Sequence, residues 1–239
     1  MTTSAIIVAA GHGLRMGAAS PKQFLAISGV PILARAILPF EKAPSLQSIV
    51  IVTLENYIEY VKRDIVDAFS LTKVKAVVAG GMERQDSVLR GISAVDPLAS
   101  LIIIHDGVRP FVTVELIEDI ISAAMMYGAA VPGIPMKETV KKINASHLVE
   151  ATIDRKDLWL VQTPQGFQRE VIENAYHNAY AEGFVGTDDA MLVERLGFKV
   201  RLVPGFQGNI KVTTPEDLRF GGMFIDEDKN WHRLRQPPV

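Results

Sequence analysis

The chain has 239 residues, 48% of them hydrophobic, enough to bury a full core as one large domain. Its formal net charge of -2 gives no overall basic field, so neither nucleic acid nor an anionic membrane is expected as a partner. A phosphate ligand would have to meet a local basic cluster instead. Having no cysteine excludes disulfides and thiolate metal sites and suits a cytoplasmic protein.

The opening MTTSAIIVAAG has no basic stretch ahead of its short apolar run, so neither a signal peptide nor a transmembrane span is expected. Ala5–Ala9 reads as a strand buried on both faces. It breaks into GHGLRMGAASPKQF, where Gly11 and Gly13 let backbone N–H groups approach a ligand and Arg15 and Lys22 add two cations. Met16 stands where a dinucleotide fingerprint needs its third glycine, and no Gly-Lys-Ser/Thr of a Walker loop follows. The stretch reads as a triphosphate-binding loop, with a solvated connection as the alternative.

Ser48–Thr53 is the second strand, and Tyr57, Ile58, Val61 and Ile65 then share one helical face. Val74–Ala79 is the third, ending in AGGMERQDSV. Gly80 and Gly81 bring backbone close to a neighbour there, and Ser87 can bond at the start of the next helix. Taken alone, this is an ordinary helix start with Glu83 in its first turn. The fourth strand, Leu101–His105, runs into Asp106, a hard oxygen donor on a rigid element that suits Mg²⁺; a turn-forming carboxylate is the plainer reading. Arg109 follows before Pro110, and His105 reads as a packed strand-end residue. Val114, Ile117, Ile121 and Ala124 mark another helix. Such alternation implies a mostly parallel sheet with helices on both faces, and ligands beyond the carboxyl ends of its strands.

After Pro135 the rhythm changes. Met136–Arg155 is polar and alternating, with a second extended run at Val149–Ile153, and reads as a protruding two-stranded arm. The α/β pattern resumes with a strand near Leu160–Gln162, helices near Arg169–Ala181 and Asp188–Leu196, and a strand at Lys199–Val203. Thr187 is placed to cap a helix. Lys211 falls in a short strand, where it should face a charge, and Thr214 before Pro215 reads as a helix cap. The tail, about 226–239, is charged and peripheral. The five histidines, His12, His105, His147, His177 and His232, never fall at the spacing of a helical zinc pair.

In order, AAGHGLRMGAASPKQF, GGMERQDSV, HDGVRPF, TIDRKDLWLVQTPQGF, GTDDA and NIKVTTPEDL resemble the 2-C-methyl-D-erythritol 4-phosphate cytidylyltransferases of the non-mevalonate isoprenoid pathway, from about residue 4 to 220. The resemblance implies a single-domain, Rossmann-like α/β fold of the nucleotide-diphospho-sugar transferase type with a β-arm. It implies transfer of CMP from CTP to methylerythritol phosphate with Mg²⁺. Arg15, Lys22 and Lys211 would stabilise the reacting phosphates. Ala9, Ala10, Gly11, Gly13, Gly80, Gly81, Ser87 and Asp106 would bind the nucleotide, with Asp106 also holding the metal. Arg109, Thr139, Arg155, Thr163 and Thr187 would serve the polyol phosphate. The arm would reach across a homodimer, giving Thr139 and Arg155 to the neighbour's site. Met82 and Gly208 depart from the family pattern at places where an acidic residue can stand. The rival readings are a ribitol-5-phosphate cytidylyltransferase, which would share the nucleotide half, and a non-catalytic nucleotide-binding module.

Overall fold

The computed structural model describes residues 2–11 and 21–226. Its central strand, β1 (Thr2–Ala9), is apolar because it is covered twice over: strands flank it and helices lie on both faces. β4 (Ser48–Thr53) pairs parallel with one edge of β1, aligning Ala9 with Thr53, and β5 (Val74–Ala79) continues that side. β6 (Ala99–Asp106) pairs parallel with the other edge and aligns Val8 with Asp106. Before β4 lie a small hairpin of β2 (Ala26–Ile27) and β3 (Val30–Pro31) and helix α1 (Ile32–Lys42).

Two helical layers close the core. α1 and α4 (Val114–Tyr127) cover one face with Leu33, Ile37, Phe40, Ile117 and Ile121. The segment after β4 joins them, but it is not the single amphipathic helix that its apolar spacing suggests. A 3-10 turn at Glu55–Tyr57 leads into α2 (Ile58–Tyr60), and Val61–Asp67 continues as a π-helix that buries Val61 and Ile65. The opposite face is covered by α3 (Arg84–Ala94), α5 (Arg169–Ala181) and α6 (Asp189–Arg195).

The second half of the chain turns the sheet antiparallel. β7 (Ala129–Pro135) does not pair with β6. Between them sits β11 (Gln165–Gln168), antiparallel to both. The edge strand β10 (Trp159–Val161) and the parallel strand β12 (Arg201–Pro204) complete eight strands. Among the described residues, β8 (Val140–Ile143) and β9 (Val149–Ile153) pair only with each other, as a separate exposed ribbon corresponding to the expected arm.

Two local expectations are corrected. Lys211 lies in irregular backbone rather than a strand: Val212 N–H donates to Val108 O at 2.8 Å, and no ladder develops around it. Thr187 does not cap α6. Asp188 does, accepting from Met191 N at 2.9 Å, because a carboxylate one residue later already satisfies that donor. The last described helix, α7 (Pro215–Asp226), begins at the expected proline, with Thr214 Oγ1 accepting from Asp217 N. The tail after Asp226 lies outside the described residues.

Candidate active site

The carboxyl ends of the parallel strands gather charge at one point. Asp106, which closes β6, is 6% exposed and is approached by Arg84 Nε at 3.1 Å, Lys211 Nζ at 2.9 Å and Arg109 Nε at 3.8 Å. Burial pushes its carboxyl pKa up, but Arg84, Lys211 and Arg109 pull harder and hold it well below the usual carboxylate range. Asp106 is therefore an anion. Arg84 also forms a two-pronged pair with the buried Asp189. Burial disfavours the Arg84 cation, yet Asp189 and then Asp106 raise its pKa well above normal. Three cations against two carboxylates leave a positive excess at the strand ends, the sign a polyphosphate requires.

Behind Asp106 lies a closed circuit of hydrogen bonds. Thr163 Oγ1 accepts from Asp106 N–H at 3.1 Å. Its own proton then points to His105 Nδ1, 3.0 Å away, so that His105 Nε2–H donates to Arg109 O at 3.2 Å. Burial pushes His105 down to about 3, which keeps the ring neutral as this tautomer requires. Arg109 Nη1 donates to Asn209 O at 2.7 Å, and Asn209 Nδ2 returns to Thr163 O at 2.8 Å. The strap at the cis Thr163–Pro164 bond, the 106–109 turn and the loop bearing Lys211 are thus held as one body.

On the β5 side, the two glycines are explained by close approach. A Cβ on Gly80 would stand 2.2 Å from Ala10 Cβ, and one on Gly81 would stand 2.2 Å from Asp86 Cβ. Ser87 Oγ accepts from Gly81 N–H at 3.1 Å and donates to Glu83 O, which fixes the turn. The backbone of this turn is therefore pressed against Ala10 at the exit of β1.

Of the residues singled out from sequence, Asp106, Arg109, Thr163 and Lys211 come together. Ala9, Ala10, Gly80, Gly81 and Ser87 line the neighbouring strand ends, and Gly11 follows. Lys22 opens the short 3-10 turn Lys22–Phe24, which Gln23 ties to the β1 exit by donating to Ala9 O and Gly11 O. Gly13 and Arg15 lie outside the described residues. Thr139 and Arg155 stand apart on the exposed arm, where Arg155 donates to Lys137 O. Thr187 is exposed, its hydroxyl 3.5 Å from Met191 Sδ.

The family model described as 2-C-methyl-D-erythritol 4-phosphate cytidylyltransferase matches residues 3–227. The chain belongs to this family. A cytidylyltransferase of that name from Syntrophus aciditrophicus is 42% identical over 94% of this chain and 96% of its own. One from Caldanaerobacter subterraneus is 45% identical over 94% and 99%. Among solved structures, the 4-diphosphocytidyl-2C-methyl-D-erythritol synthase of Anaerococcus prevotii superposes with a TM-score of 0.83 at 32% identity, covering 94% of this chain and 96% of its own. The Thermus thermophilus cytidylyltransferase gives 0.78 at 30%, covering 95% and 100%.

The cluster and its surroundings contain residues that sequence reasoning passed over. Arg84 is the chief of them. A basic side chain in the first turn of a helix opposes the helix dipole, and that misplacement was the readable signal. Asp189 and Asn209 fall inside the GTDDA and NIKVTTPEDL motifs but, like Gln23, showed no role there, since each acts through contacts 12 or more residues away in sequence. No group of three or more His, Asp or Glu side chains gathers among the described residues. A divalent cation therefore fits here only if Asp106 shares it with a ligand's own oxygens, the usual arrangement for Mg²⁺ with phosphates.

Proposed function

We propose that this protein joins CTP to 2-C-methyl-D-erythritol 4-phosphate. A phosphate oxygen of the acceptor attacks the α-phosphorus of CTP, the bond to the bridging oxygen breaks, and pyrophosphate leaves with the electron pair. The observation that carries this reading, together with membership of the family, is the buried Asp106 anion ringed by Arg84, Arg109 and Lys211. Such transfer needs aimed charge rather than a covalent nucleophile.

In this reading Lys22 and Arg15 meet the charge that develops on the triphosphate. Lys211, resting 2.9 Å from Asp106, is drawn to the α-phosphate. A single well-aimed donor of this kind contributes about 3 kcal/mol to the transition state. The backbone at Gly80 and Gly81 faces the planar, polar edge of cytosine. Arg109, whose buried Nε lacks a hydrogen-bond acceptor among the described residues, has a donor in reserve for the acceptor phosphate, and Thr163 lies beside it. Mg²⁺, held by Asp106 and the phosphates, supplies charge neutralisation when bound. The exposed ribbon β8–β9 carries Thr139 and Arg155 to the partner's site in a homodimer. The chain forms one nucleotidyltransferase domain and works in the cytoplasm; no helix among the described residues is long and apolar enough to cross a membrane.

Pyrophosphate release from CTP and Mg²⁺ is the test, with methylerythritol phosphate and ribitol 5-phosphate supplied in parallel. Release with the first and little with the second is expected. Preference for ribitol 5-phosphate, or no release with either, overturns the reading.

A further inference from the structure

Gln23 is a charge-neutral side chain that neither the fold nor the reaction obviously needs, yet it is 1% exposed at the edge of the proposed site. Its amide nitrogen, Nε2, spends its donors on two backbone carbonyls, Ala9 O at 2.7 Å and Gly11 O at 3.1 Å. Those carbonyls lie on either side of Ala10, where β1 has ended and its ladder no longer supplies partners. Gln23 therefore clasps the chain that follows segment 12–20 back onto the strand exit that leads into it. The next residue fixes the other side of the clasp. Phe24 stacks on Tyr57 with centroids 4.7 Å apart and meets Tyr60 edge-on at 5.0 Å. Phe24 N–H also donates to Pro21 O, and Leu25 N–H to Lys22 O, so the turn is closed on itself.

We infer that Gln23 is a positioning residue for Lys22: its two hydrogen bonds set where the Lys22 backbone stands relative to the exit of β1. The inference rests on the proposed role of Lys22 in meeting triphosphate charge. A lysine is a point charge on a flexible stem, so its benefit depends on where its backbone is anchored. Displacements of about 1 Å in such constellations cost about 10²-fold in rate.

The test is a double-mutant cycle on the full chain, with Gln23→Met, Lys22→Ala and the double variant assayed for pyrophosphate release. Gln23→Met removes both donors at nearly constant volume. Expected is a fall in kcat of about 10- to 100-fold with KM for CTP changed less than about 3-fold, and no further fall when Gln23→Met is added to Lys22→Ala. Multiplicative losses, or a near-native kcat in Gln23→Met, overturn the proposal. If Gln23→Met does not fold, Gln23→Asn, which keeps the amide but withdraws it by one methylene, is read against the same two criteria. A second measurement needs no turnover. Acylation of the Lys22 amine, followed by mass spectrometry, should be slowed by CTP in the native chain and not in Gln23→Met. Equal protection in both overturns Gln23's role alone, whereas no protection in the native chain overturns the reading of Lys22 and this proposal with it.

Discussion

Arg84 and Asp189 meet through two hydrogen bonds, Nη1 to Oδ1 at 3.1 Å and Nη2 to Oδ2 at 2.7 Å. Asp189 is 1% exposed and also accepts from the Tyr176 hydroxyl at 2.6 Å. The pair forms the rear wall of the Asp106 cluster, so it couples the site to the packing of α5 and α6. Removing the carboxylate charge leaves the Arg84 guanidinium with Asp106 alone as its counter-charge and a neutral amide at the fully buried Asp189 position. Asp189→Asn should lower the unfolding free energy by about 3 kcal/mol, read from urea melts. A loss below about 1 kcal/mol would mean water compensates the cation.

Gly80 has no room for a side chain. Gly80→Ala would place a Cβ 2.2 Å from Ala10 Cβ and 2.8 Å from Ser87 Oγ, so the turn must move away from the β1 exit. Overpacking of this kind costs about 1–3 kcal/mol. Because the displaced backbone is the surface assigned to cytosine, CTP affinity should fall along with thermal stability. Calorimetric titration showing a native CTP affinity in a destabilised variant would separate the two effects and remove Gly80 from the nucleotide pocket.

Tyr180 donates its hydroxyl to Asp86 in the first turn of α3, and burial together with this carboxylate pushes its pKa up to about 12 from 10.0. A phenol whose folded pKa is raised contributes stability that is complete below pH 10 and is lost as pH climbs through 12. Subtracting the phenolate absorbance titration of Tyr180→Phe from that of the native chain should isolate one group titrating near pH 12. A difference curve centred at pH 10 would show the contact is not kept in solution.

Asp106→Asn should keep the fold but lose the Mg²⁺-dependent part of CTP binding. The amide cannot neutralise Arg84, Lys211 and Arg109 as the carboxylate does, so metal-free CTP binding should hold steady or strengthen. Titrations with and without Mg²⁺ read both quantities. An unchanged Mg²⁺ increment refutes the assignment.

If the arm serves the partner's site, Arg155→Ala chains mixed with Lys22→Ala chains, each strongly impaired alone, should regain activity, since one site in each mixed dimer is intact. A regain of up to about one quarter of the native rate follows from random pairing of equal amounts, with half the dimers mixed and one of two sites working in each. Absence of regain in dimers shown to have exchanged subunits places Arg155 in its own chain's site, or in none.

The parallel half of the molecule was legible because β1, β4 and β6 are largely buried and read as nearly continuous apolar runs. Ser48–Thr53 and Val74–Ala79 have the same limits in sequence and structure. α1 was not seen, since Pro39 sits inside it, a residue with no N–H to give the helix. β11 was also missed. Its four residues, QGFQ, carry no alternation, and the strand exists because the gap between β6 and β7 accepts it. For the site, Asp106 and Lys211 were legible as charged residues in places that needed a reason. Lys211 finds its counter-charge in Asp106 as expected, although the backbone around it is irregular. The circuit through His105, Thr163 and Asn209 was not legible, because its hydrogen bonds join residues up to 100 apart in sequence, mostly through uncharged groups.

The placement of β11 also bears on how the chain is made. β1, β4, β5 and β6 are all synthesised once Asp106 has left the ribosome, but the free edge of β6, with Leu101–Ile104 along it, waits for Gln165–Gln168. About sixty residues intervene, which at translation rates of roughly 5–20 residues per second is about 3–12 s. For that interval a nascent chain presents an apolar, unpaired strand edge to its surroundings. Chains stalled between β6 and β11 should therefore be the ones that recruit chaperones or aggregate, and chains released after β11 should not.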